Sequence, residues 1–299
     1  MNARIALVIC SVGRAEIVAD LLPWIVRQTV APSHIVFVVT KLEDLPVDEV
    51  QHLLPEAQIL ISEKGLPRQR NMGLDAVQAE CEAVFFIDDD YFPAEDAIEG
   101  IGRALERFPD AAGFTGKLLA DGIHTGGVSA EQAHVLIEDY EVAGGGPEKP
   151  VALAHQLVGL YGCNMAYRCS AIGAERFDQN LPLYAWQEDV DFAARLKGEK
   201  IRTDAFAGVH CGTSTGRETS GYLLGYSQVA NPIYLLRKGS LPKGFALRMM
   251  WRNVLANHVK SFRPEPWIDR RGRARGNRQA FREVINGTVT PNRILELTR

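Results

Sequence analysis

The segment 83–90, AVFFIDDD, constrains the fold of this 299-residue chain more than any other. Its first five residues are apolar and rich in aromatic and β-branched types, which predicts a strand buried on both faces. Three consecutive carboxylates follow, and such groups repel one another unless a cation neutralises them. Because open α/β sheets bind ligands at the carboxyl ends of strands, the segment predicts a site for Mg²⁺ or Mn²⁺ and a phosphate. A solvated acidic turn is the simpler alternative.

Strands and helices alternate before this segment. Strands are predicted at residues 4–10, 34–39 and 58–61, with a helix over 16–29, and a basic loop over 64–71 precedes the next helix. This alternation predicts an α/β fold with a Rossmann-like, mainly parallel sheet flanked by helices. The chain has no GxGxxG motif in this region, so a dinucleotide site is not expected.

The pattern changes in the second half of the chain. Residues 121–150 are predicted as a long loop, either a plain surface loop or a mobile active-site segment, and its length favours some function. A strand over 201–209 ends at His210. A lone histidine there is commonly structural, but the carboxylate cluster needs further ligands and an imidazole can supply one. We predict an α/β domain over 1–215 and a mainly helical, basic extension over 216–299.

A second acidic group follows the glycine-rich middle of the chain. Trp186, Glu188, Asp189 and Asp191 occur within six residues. Glu188 and Asp189 fall at the predicted start of a helix, where the helix dipole favours anions. An N-cap with an acidic first turn explains one or two of these carboxylates. It does not account for the third carboxylate or for the tryptophan beside them.

Positive charge is concentrated near the C-terminus. The whole chain carries a formal charge of −4, yet residues 244–282 hold ten basic and two acidic side chains. A helix is predicted there with Asn253, Asn257 and Lys260 opposite a broad apolar face. That face consists of Leu247, Met250, Trp251, Val254, Leu255, Val259 and Phe262. It predicts docking either on the α/β domain or on an anionic membrane surface. Nucleic-acid binding is not expected, because the arginines of 270–278 lack interleaved aromatic residues.

Cysteine usage and hydropathy bear on location. The five cysteines form no CxxC pair, and their odd number argues against a disulfide framework. No apolar stretch reaches the roughly 18 residues needed for a membrane span. The apolar run near the N-terminus is too short for a signal peptide. A cytoplasmic protein is expected, either free or bound peripherally at the cytoplasmic face of a membrane.

Together these motifs resemble the family 2 glycosyltransferases, which have the GT-A fold. Residues 70–73 (Arg-Asn-Met-Gly) resemble the family's Arg-Asn-x-Gly, and Asp88 to Asp90 matches its Asp-x-Asp motif. The passage 162–168 resembles its glycine–asparagine segment, and Glu188-Asp189 matches its Glu-Asp motif. The turn after the second strand departs from the family pattern: residues 39–44 read Val-Thr-Lys-Leu-Glu-Asp, so the nucleotide base stays open.

The resemblance implies a metal-dependent, inverting transfer of a sugar from a nucleotide-diphosphate donor to a glycan or lipid-linked acceptor hydroxyl. The implied site residues are Ser11, Arg70, Asp88 and Asp89 for the nucleotide sugar, Asp90 and His210 for Mn²⁺ or Mg²⁺, Asp189 and Glu188 for catalysis, and Trp186 and Asp191 on the acceptor side. Asp189 is expected to act as the general base and Glu188 to orient the acceptor.

Two other functions are compatible with parts of this pattern. A sugar-nucleotide pyrophosphorylase also needs a metal-binding aspartate in an α/β sheet, but residues 11–14 (Ser-Val-Gly-Arg) are a poor match to a triphosphate loop. A non-catalytic carbohydrate-binding protein would need no nucleotide site. Nucleotide binding in the presence of a metal distinguishes this second alternative from a transferase.

Overall fold

The computed structural model describes residues 3–212 and 220–297. Contacts group these residues into two compact units. Unit 1 takes in the described residues of 1–64, 68–176 and 196–216, and unit 2 those of 65–67, 177–195 and 217–299. The division into domains at residues 215 and 216 stays a prediction.

Within the described residues, nine strands form one sheet, and all of them lie in unit 1. They are β1 (Ile5–Cys10), β2 (His34–Val39), β3 (Gln58–Ile61), β4 (Ala83–Asp88), β5 (Tyr91–Pro93), β6 (Ala111–Asp121), β7 (Ala152–Ala154), β8 (Asn164–Arg168) and β9 (Glu199–His210). Their order is β3-β2-β1-β4-β8-β6-β9-β5, with β7 beside β9. The predicted parallel arrangement holds for β1 to β4, whereas β8 is antiparallel to both of its neighbours and only β6 and β9 pair in parallel beyond it.

Helices flank the sheet in unit 1 and make up the C-terminal part of unit 2. They are α1 (Ala15–Val26), α2 (Val47–Leu53), α3 (Leu66–Val77), α4 (Ala97–Arg107), α5 (Ala130–Val142), α6 (Cys169–Ile172), α7 (Glu188–Arg195), α8 (Gly221–Lys238), α9 (Lys243–Lys260), α10 (Arg270–Ile285) and α11 (Ile294–Leu297). None of the helices in the described residues is both long and apolar enough to cross a membrane. The sheet with its flanking helices confirms the predicted α/β fold class, and α8 to α11 confirm the predicted helical C-terminal region.

Two predictions about local structure are wrong. α3 begins at Leu66, inside the predicted loop. Pro67 is tolerated there because backbone N–H groups in the first turn of a helix have no hydrogen-bond partner within the helix. The predicted loop over 121–150 contains α5. Ser129 caps this helix: Gln132 N–H donates to Ser129 Oγ, and Ser129 N–H donates to Gln132 Oε1. This reciprocal capping box was the signal that the sequence carried for α5.

The predicted polar face of α9 is wrong at Asn257. Asn257, expected on the polar outer face, is fully buried. Its amide donates to Gln228 Oε1 at 2.7 Å and to Asn277 Oδ1 at 3.1 Å, and it accepts from Arg270 at 3.1 Å. Because every polar atom of the buried amide has a partner, burying it costs little. Of the predicted apolar face, Met250 and Val254 are buried, whereas Trp251, Leu255, Val259 and Phe262 are exposed.

Glycines let α8 and α10 approach closely within unit 2. A Cβ at Gly225 would lie 2.1 Å from the carbonyl oxygen of Arg273, and one at Gly276 would lie 2.0 Å from that of Tyr222. Both obstacles are backbone atoms, which cannot rotate away as a side chain can. The contact between the two helices therefore requires glycine at both positions.

We expect Gly276→Ala to destabilise unit 2 by about 2–3 kcal/mol, the upper part of the usual range for overpacking a core. Gly244→Ala in α9 is the matched control, because a Cβ there meets no atom of the described residues within 4 Å. Urea denaturation followed by circular dichroism measures both variants. Equal stability of the two would contradict the close helix approach.

Candidate functional site

The sheet topology brings four polar side chains to one edge of unit 1. Asp88 ends β4, beside the end of β1, where Cys10 is its partner in the register. Asp121 and His210 are partners at the ends of the parallel strands β6 and β9. β5 then runs back antiparallel to β9 with Tyr91 opposite His210, and Cys211 N–H donates to the carbonyl of Asp90 at 2.9 Å. Residues far apart in the chain thus meet at the strand ends, where such sheets bind ligands.

Asp88, Asp90 and His210 form a cluster that fits a divalent metal ion. Their ligand atoms all lie within 4.8 Å of one another. His210 Nε2 is 3.4 Å from Asp90 Oδ1 and 3.9 Å from Asp88 Oδ2. Asp90 and His210 are almost completely buried, whereas Asp88 is partly exposed. Carboxylate oxygens with one imidazole nitrogen are a suitable donor set for such an ion.

Asp121 and Tyr161 orient the ring of His210. Its Nδ1 lies 2.9 Å from Asp121 Oδ1, and Tyr161 Oη donates to Asp121 Oδ2 at 2.6 Å. Burial acts to raise the pKa of Asp121, but the hydrogen bonds from His210 and Tyr161 lower it to about 2. A charged carboxylate is therefore held against Nδ1, which turns Nε2 towards Asp90. This is the arrangement by which carboxylates orient metal-binding histidines.

Asp89 supports the cluster from inside the protein. It is buried, accepts from Ser11 Oγ at 2.6 Å, and forms an ion pair with Arg14, whose second nitrogen is 2.9 Å from Asp90 Oδ2. Burial raises the pKa of Asp89 to about 7, with Arg14 opposing the shift and Asp90 adding to it. Arg14 thus offsets part of the repulsion between adjacent carboxylates.

Arg70 links the cluster to the glycine-rich passage before β8. This arginine is buried, and its guanidinium donates to Asp88 Oδ1 at 3.0 Å and to the carbonyl of Gly162 at 2.8 Å. Gln69, its neighbour in α3, donates to the carbonyls of Ser11 and Val38 at 3.2 and 2.9 Å. α3 therefore ties together the ends of β1, β2 and β4.

Asp44 organises the turn after β2. Its carboxylate is fully buried and accepts from the backbone N–H groups of Gly13, Thr40 and Lys41 at 2.8, 3.0 and 3.2 Å, and from the Thr40 hydroxyl at 2.6 Å. Burial works against ionisation, but these hydrogen bonds lower the pKa of Asp44. The carboxylate that follows the second strand is thus engaged with the backbone of the turn and of the β1–α1 loop.

The second acidic group lies in unit 2 after a strained segment. Leu183, Ala185 and Gln187 have positive φ angles of 59°, 51° and 77°, which side-chain-bearing residues seldom adopt. The segment is held by Asn231, whose amide donates to the carbonyl of Trp186 at 2.8 Å. α7 begins directly afterwards. Strain of this kind, about 1–3 kcal/mol per residue, persists where the structure must hold a particular geometry.

The carboxylates of α7 have different surroundings. Glu188 is buried and Asp189 is partly exposed, with Asp189 Oδ1 accepting from the Val190 N–H at 2.8 Å. Asp191 is fully buried and pairs with Arg195 at 3.1 Å and Lys238 at 2.9 Å. Asp191 therefore fastens α7 to α8 within unit 2. Its assignment to the acceptor side, like the assignments of Glu188 and Asp189, stays a prediction.

No protein-family model and no curated protein matches this chain. Solved structures do resemble it. TarS 1–349 from S. aureus superposes with a TM-score of 0.57 at 14% identity, over 96% of this chain and 83% of that one. The same protein in complex with UDP-GlcNAc gives a TM-score of 0.54, again at 14% identity, over 96% and 84% of the two chains. The mannosyltransferase PcManGT from Pyrobaculum calidifontis, in complex with GDP-Man and Mn²⁺, gives 0.55 at 13% identity, over 100% and 79%.

These neighbours are glycosyltransferases. The chain has a GT-A-like fold. Within its unit 1, the GT-A-like fold brings together all six predicted donor-side residues, namely Ser11, Arg70, Asp88, Asp89, Asp90 and His210. Unit 2 holds the four predicted acceptor-side and catalytic residues, namely Trp186, Glu188, Asp189 and Asp191.

Three side chains that contact the cluster or its histidine are not among the site residues predicted from the sequence. They are Arg14, Asp121 and Tyr161. Asp121 follows the apolar run 118–120, as Asp88 follows an apolar strand, and that position was the available signal. Arg14 and Tyr161 had no comparable local signal, because their roles depend on partners between 40 and 76 positions away.

We expect Asp121→Asn to weaken Mn²⁺ binding by about 10–100-fold, since losing the carboxylate beside Nδ1 leaves His210 less firmly oriented and less basic. Electron paramagnetic resonance of free Mn²⁺ measures this affinity directly. Asp204→Asn is the matched control, because Asp204 also accepts a hydrogen bond, from the Val151 N–H, but is not a member of the cluster. Indistinguishable affinity in all three proteins would contradict the role of Asp121.

Proposed function

We propose that this chain is a metal-dependent, inverting glycosyltransferase of family 2, which transfers a hexosyl or related sugar from a nucleotide diphosphate to an acceptor hydroxyl. The observation that carries the proposal is the cluster of Asp88, Asp90 and His210 at the strand ends of a GT-A-like fold. The donors bound by the neighbouring structures, UDP-GlcNAc and GDP-Man, support a nucleotide sugar as donor.

In this proposal, side chains of unit 1 bind the nucleotide-sugar donor. Asp90 and His210 would hold the ion, Mn²⁺ or Mg²⁺, and Asp88 would lie towards the ribose. A bound ion of this kind neutralises the charge that develops on a departing diphosphate. Arg70 contributes a fixed positive charge beside the same group, and Arg14 holds Asp89 and Asp90 in place. Ser11 acts through its hydrogen bond to Asp89.

Residues in and just before α7 activate and position the acceptor hydroxyl in this proposal. Asp189 takes the proton from the acceptor hydroxyl as its oxygen bonds to the anomeric carbon, and the bond from that carbon to the diphosphate oxygen breaks. This single displacement inverts the configuration at the anomeric carbon. Proton transfer to a positioned base contributes typically about 10²–10⁴-fold to such a rate. Glu188 orients the acceptor, Trp186 offers a ring for a sugar to stack on, and Asp191 keeps α7 in position.

The proposed acceptor is a glycan or a lipid-linked glycan. A lipid-linked acceptor is presented at a membrane surface, so peripheral contact with an anionic membrane is part of the proposal.

We expect nucleoside diphosphates and nucleotide sugars to stabilise the protein only when Mn²⁺ or Mg²⁺ is present. At a ligand concentration of 100 times its Kd, binding adds about 2.7 kcal/mol to the free energy of unfolding. A thermal-shift panel of uridine, guanosine, cytidine and adenosine diphosphates, with metal or with chelator, measures this and identifies the base. Asp90→Asn should lose both the metal-dependent shift and sugar transfer. Wild-type transfer rates in the presence of a chelator would overturn the metal dependence.

We expect Asp189→Asn to lower transfer by about 10²–10⁴-fold while donor affinity stays close to wild type, because only the base is removed. Single-turnover assays give the rate, and titration calorimetry gives donor affinity. Glu296→Gln is a control on another acidic residue of unit 2, whose carboxylate pairs with Arg293. If donor affinity fell and transfer per bound donor survived, the roles of the two acidic groups would have to be exchanged.

A further inference from the structure

We propose that the exposed faces of α9 and α10 form a docking surface for an anionic lipid bilayer. The inference names the surface for the membrane contact proposed above. The reason for membrane docking rests on the proposed function, but docking itself can be measured without any sugar transfer.

α9 presents a continuous apolar stripe to solvent. Trp251, Leu255, Val259 and Phe262 are 47%, 59%, 67% and 85% exposed. Their spacing of four residues places Trp251, Leu255 and Val259 towards one side of the helix, and Phe262 follows two residues after the helix ends. Single exposed apolar residues are ordinary on protein surfaces, but a row of four large ones marks an interaction site.

α10 presents a stripe of arginines. Arg271, Arg275, Arg278 and Arg282 are all exposed, and they recur at intervals of four, three and four residues. This spacing places the four guanidinium groups on one side of α10. The opposite side of the helix is buried through its glycines and alanines, such as Gly272, Ala274, Gly276 and Ala280.

The two stripes belong to neighbouring helices of unit 2. The rings of Trp251 and Phe281 stack with their centroids 5.4 Å apart, and Arg271 Nε donates to the carbonyl of Ser261 at 3.2 Å. One contact joins the middle of α9 to the end of α10, and the other joins the end of α9 to the start of α10. The helices are therefore antiparallel neighbours, and the apolar stripe runs beside the arginine stripe.

The acidic residues of this region are engaged elsewhere. Glu265 pairs with Lys260 and Arg270, and Asp269 caps α10 by accepting from the Gly272 N–H. Glu283 is buried and hydrogen-bonded to Tyr226. The charges of the four exposed arginines are therefore not cancelled by these carboxylates, and the surface is cationic.

An anionic bilayer fits both stripes at once. Lipid phosphates can accept from the arginines, while the tryptophan, leucine, valine and phenylalanine side chains enter the boundary between headgroups and acyl chains. A second copy of the chain fits less well, because a symmetric interface would place two arginine stripes together and like charges would repel.

Vesicle co-sedimentation of the full chain tests the proposal. Vesicles of equal parts phosphatidylglycerol and phosphatidylcholine should bind the protein, and vesicles of phosphatidylcholine alone should bind it at least tenfold more weakly. Binding should fall steeply between about 0.1 M and about 1 M salt, since salt screens the arginine–phosphate attraction. No binding to the anionic vesicles would overturn the proposal.

Two variants separate the contributions of the stripes. R275Q/R278Q/R282Q and L255S/V259S/F262S should each lower the partition coefficient by about tenfold or more. Their matched controls lie in unit 1. R107Q/K197Q/R202Q removes three exposed cations, and L53S/V135S/V142S removes three exposed apolar side chains. Equal losses in variants and controls would overturn the assignment to α9 and α10.

The alternative partners give different results. If the wild type is a dimer in sedimentation-velocity experiments without lipid, and L255S/V259S/F262S makes it monomeric, the surface belongs to a second copy and the bilayer proposal fails. If soluble heparin binds as tightly as the anionic vesicles, and the apolar variant binds both normally, the surface is only a polyanion site and the proposal also fails. Either failure leaves the nucleotide-binding tests of the proposed function unaffected.

Discussion

The repulsion between Asp88, Asp89 and Asp90 is the constraint on which the rest of unit 1 depends. Three adjacent carboxylates at the end of a buried strand can stay together only if cations or hydrogen-bond donors come to them. Each is contacted by at least one such group: Arg70 pairs with Asp88, Ser11 and Arg14 contact Asp89, and Arg14 and His210 contact Asp90. These partners come from α3, from the β1–α1 loop and from the end of β9. The acidic cluster therefore ties the first, middle and last parts of unit 1 to one edge of the sheet.

The same constraint explains how the cluster suits a divalent ion. Asp89 is satisfied by protein groups, whereas Asp88 is partly exposed and Asp90 shares its carboxylate between Arg14 and His210. Asp121 and Tyr161 hold the imidazole from behind. The carboxylates are thus arranged before any ligand arrives, which reduces the cost of ordering them on binding. In unit 2 the segment with positive φ angles precedes α7, and the ion pairs of Asp191 hold that helix, which carries Glu188 and Asp189 in its first turn.

Much of the fold follows from local patterns in the sequence. The strands at 34–39 and 58–61 and the strand before Asp88 were predicted at or near their observed bounds, because short runs of β-branched and aromatic residues have few alternatives. The errors arose where one local signal outweighed another. Pro67 favours a loop locally although a first helical turn accepts it, and the capping box at Ser129 lies in a segment whose glycines favour a loop.

The sequence by itself determined the α/β class, the acidic cluster at a strand end and the basic character of the C-terminal region, because each depends on residues close together in the chain. Tertiary structure alone decided that Arg14 and Asp121 join the site, since strand order and register bring them there. It also decided which side of α9 faces solvent. An amide such as Asn257 is buried when Gln228, Asn277 and Arg270 satisfy its hydrogen bonds, and a helical wheel contains no information about those partners. The segment Ala83–Asp88 and the two aspartates after it thus predict a site, but the tertiary structure determines which other residues lie beside them.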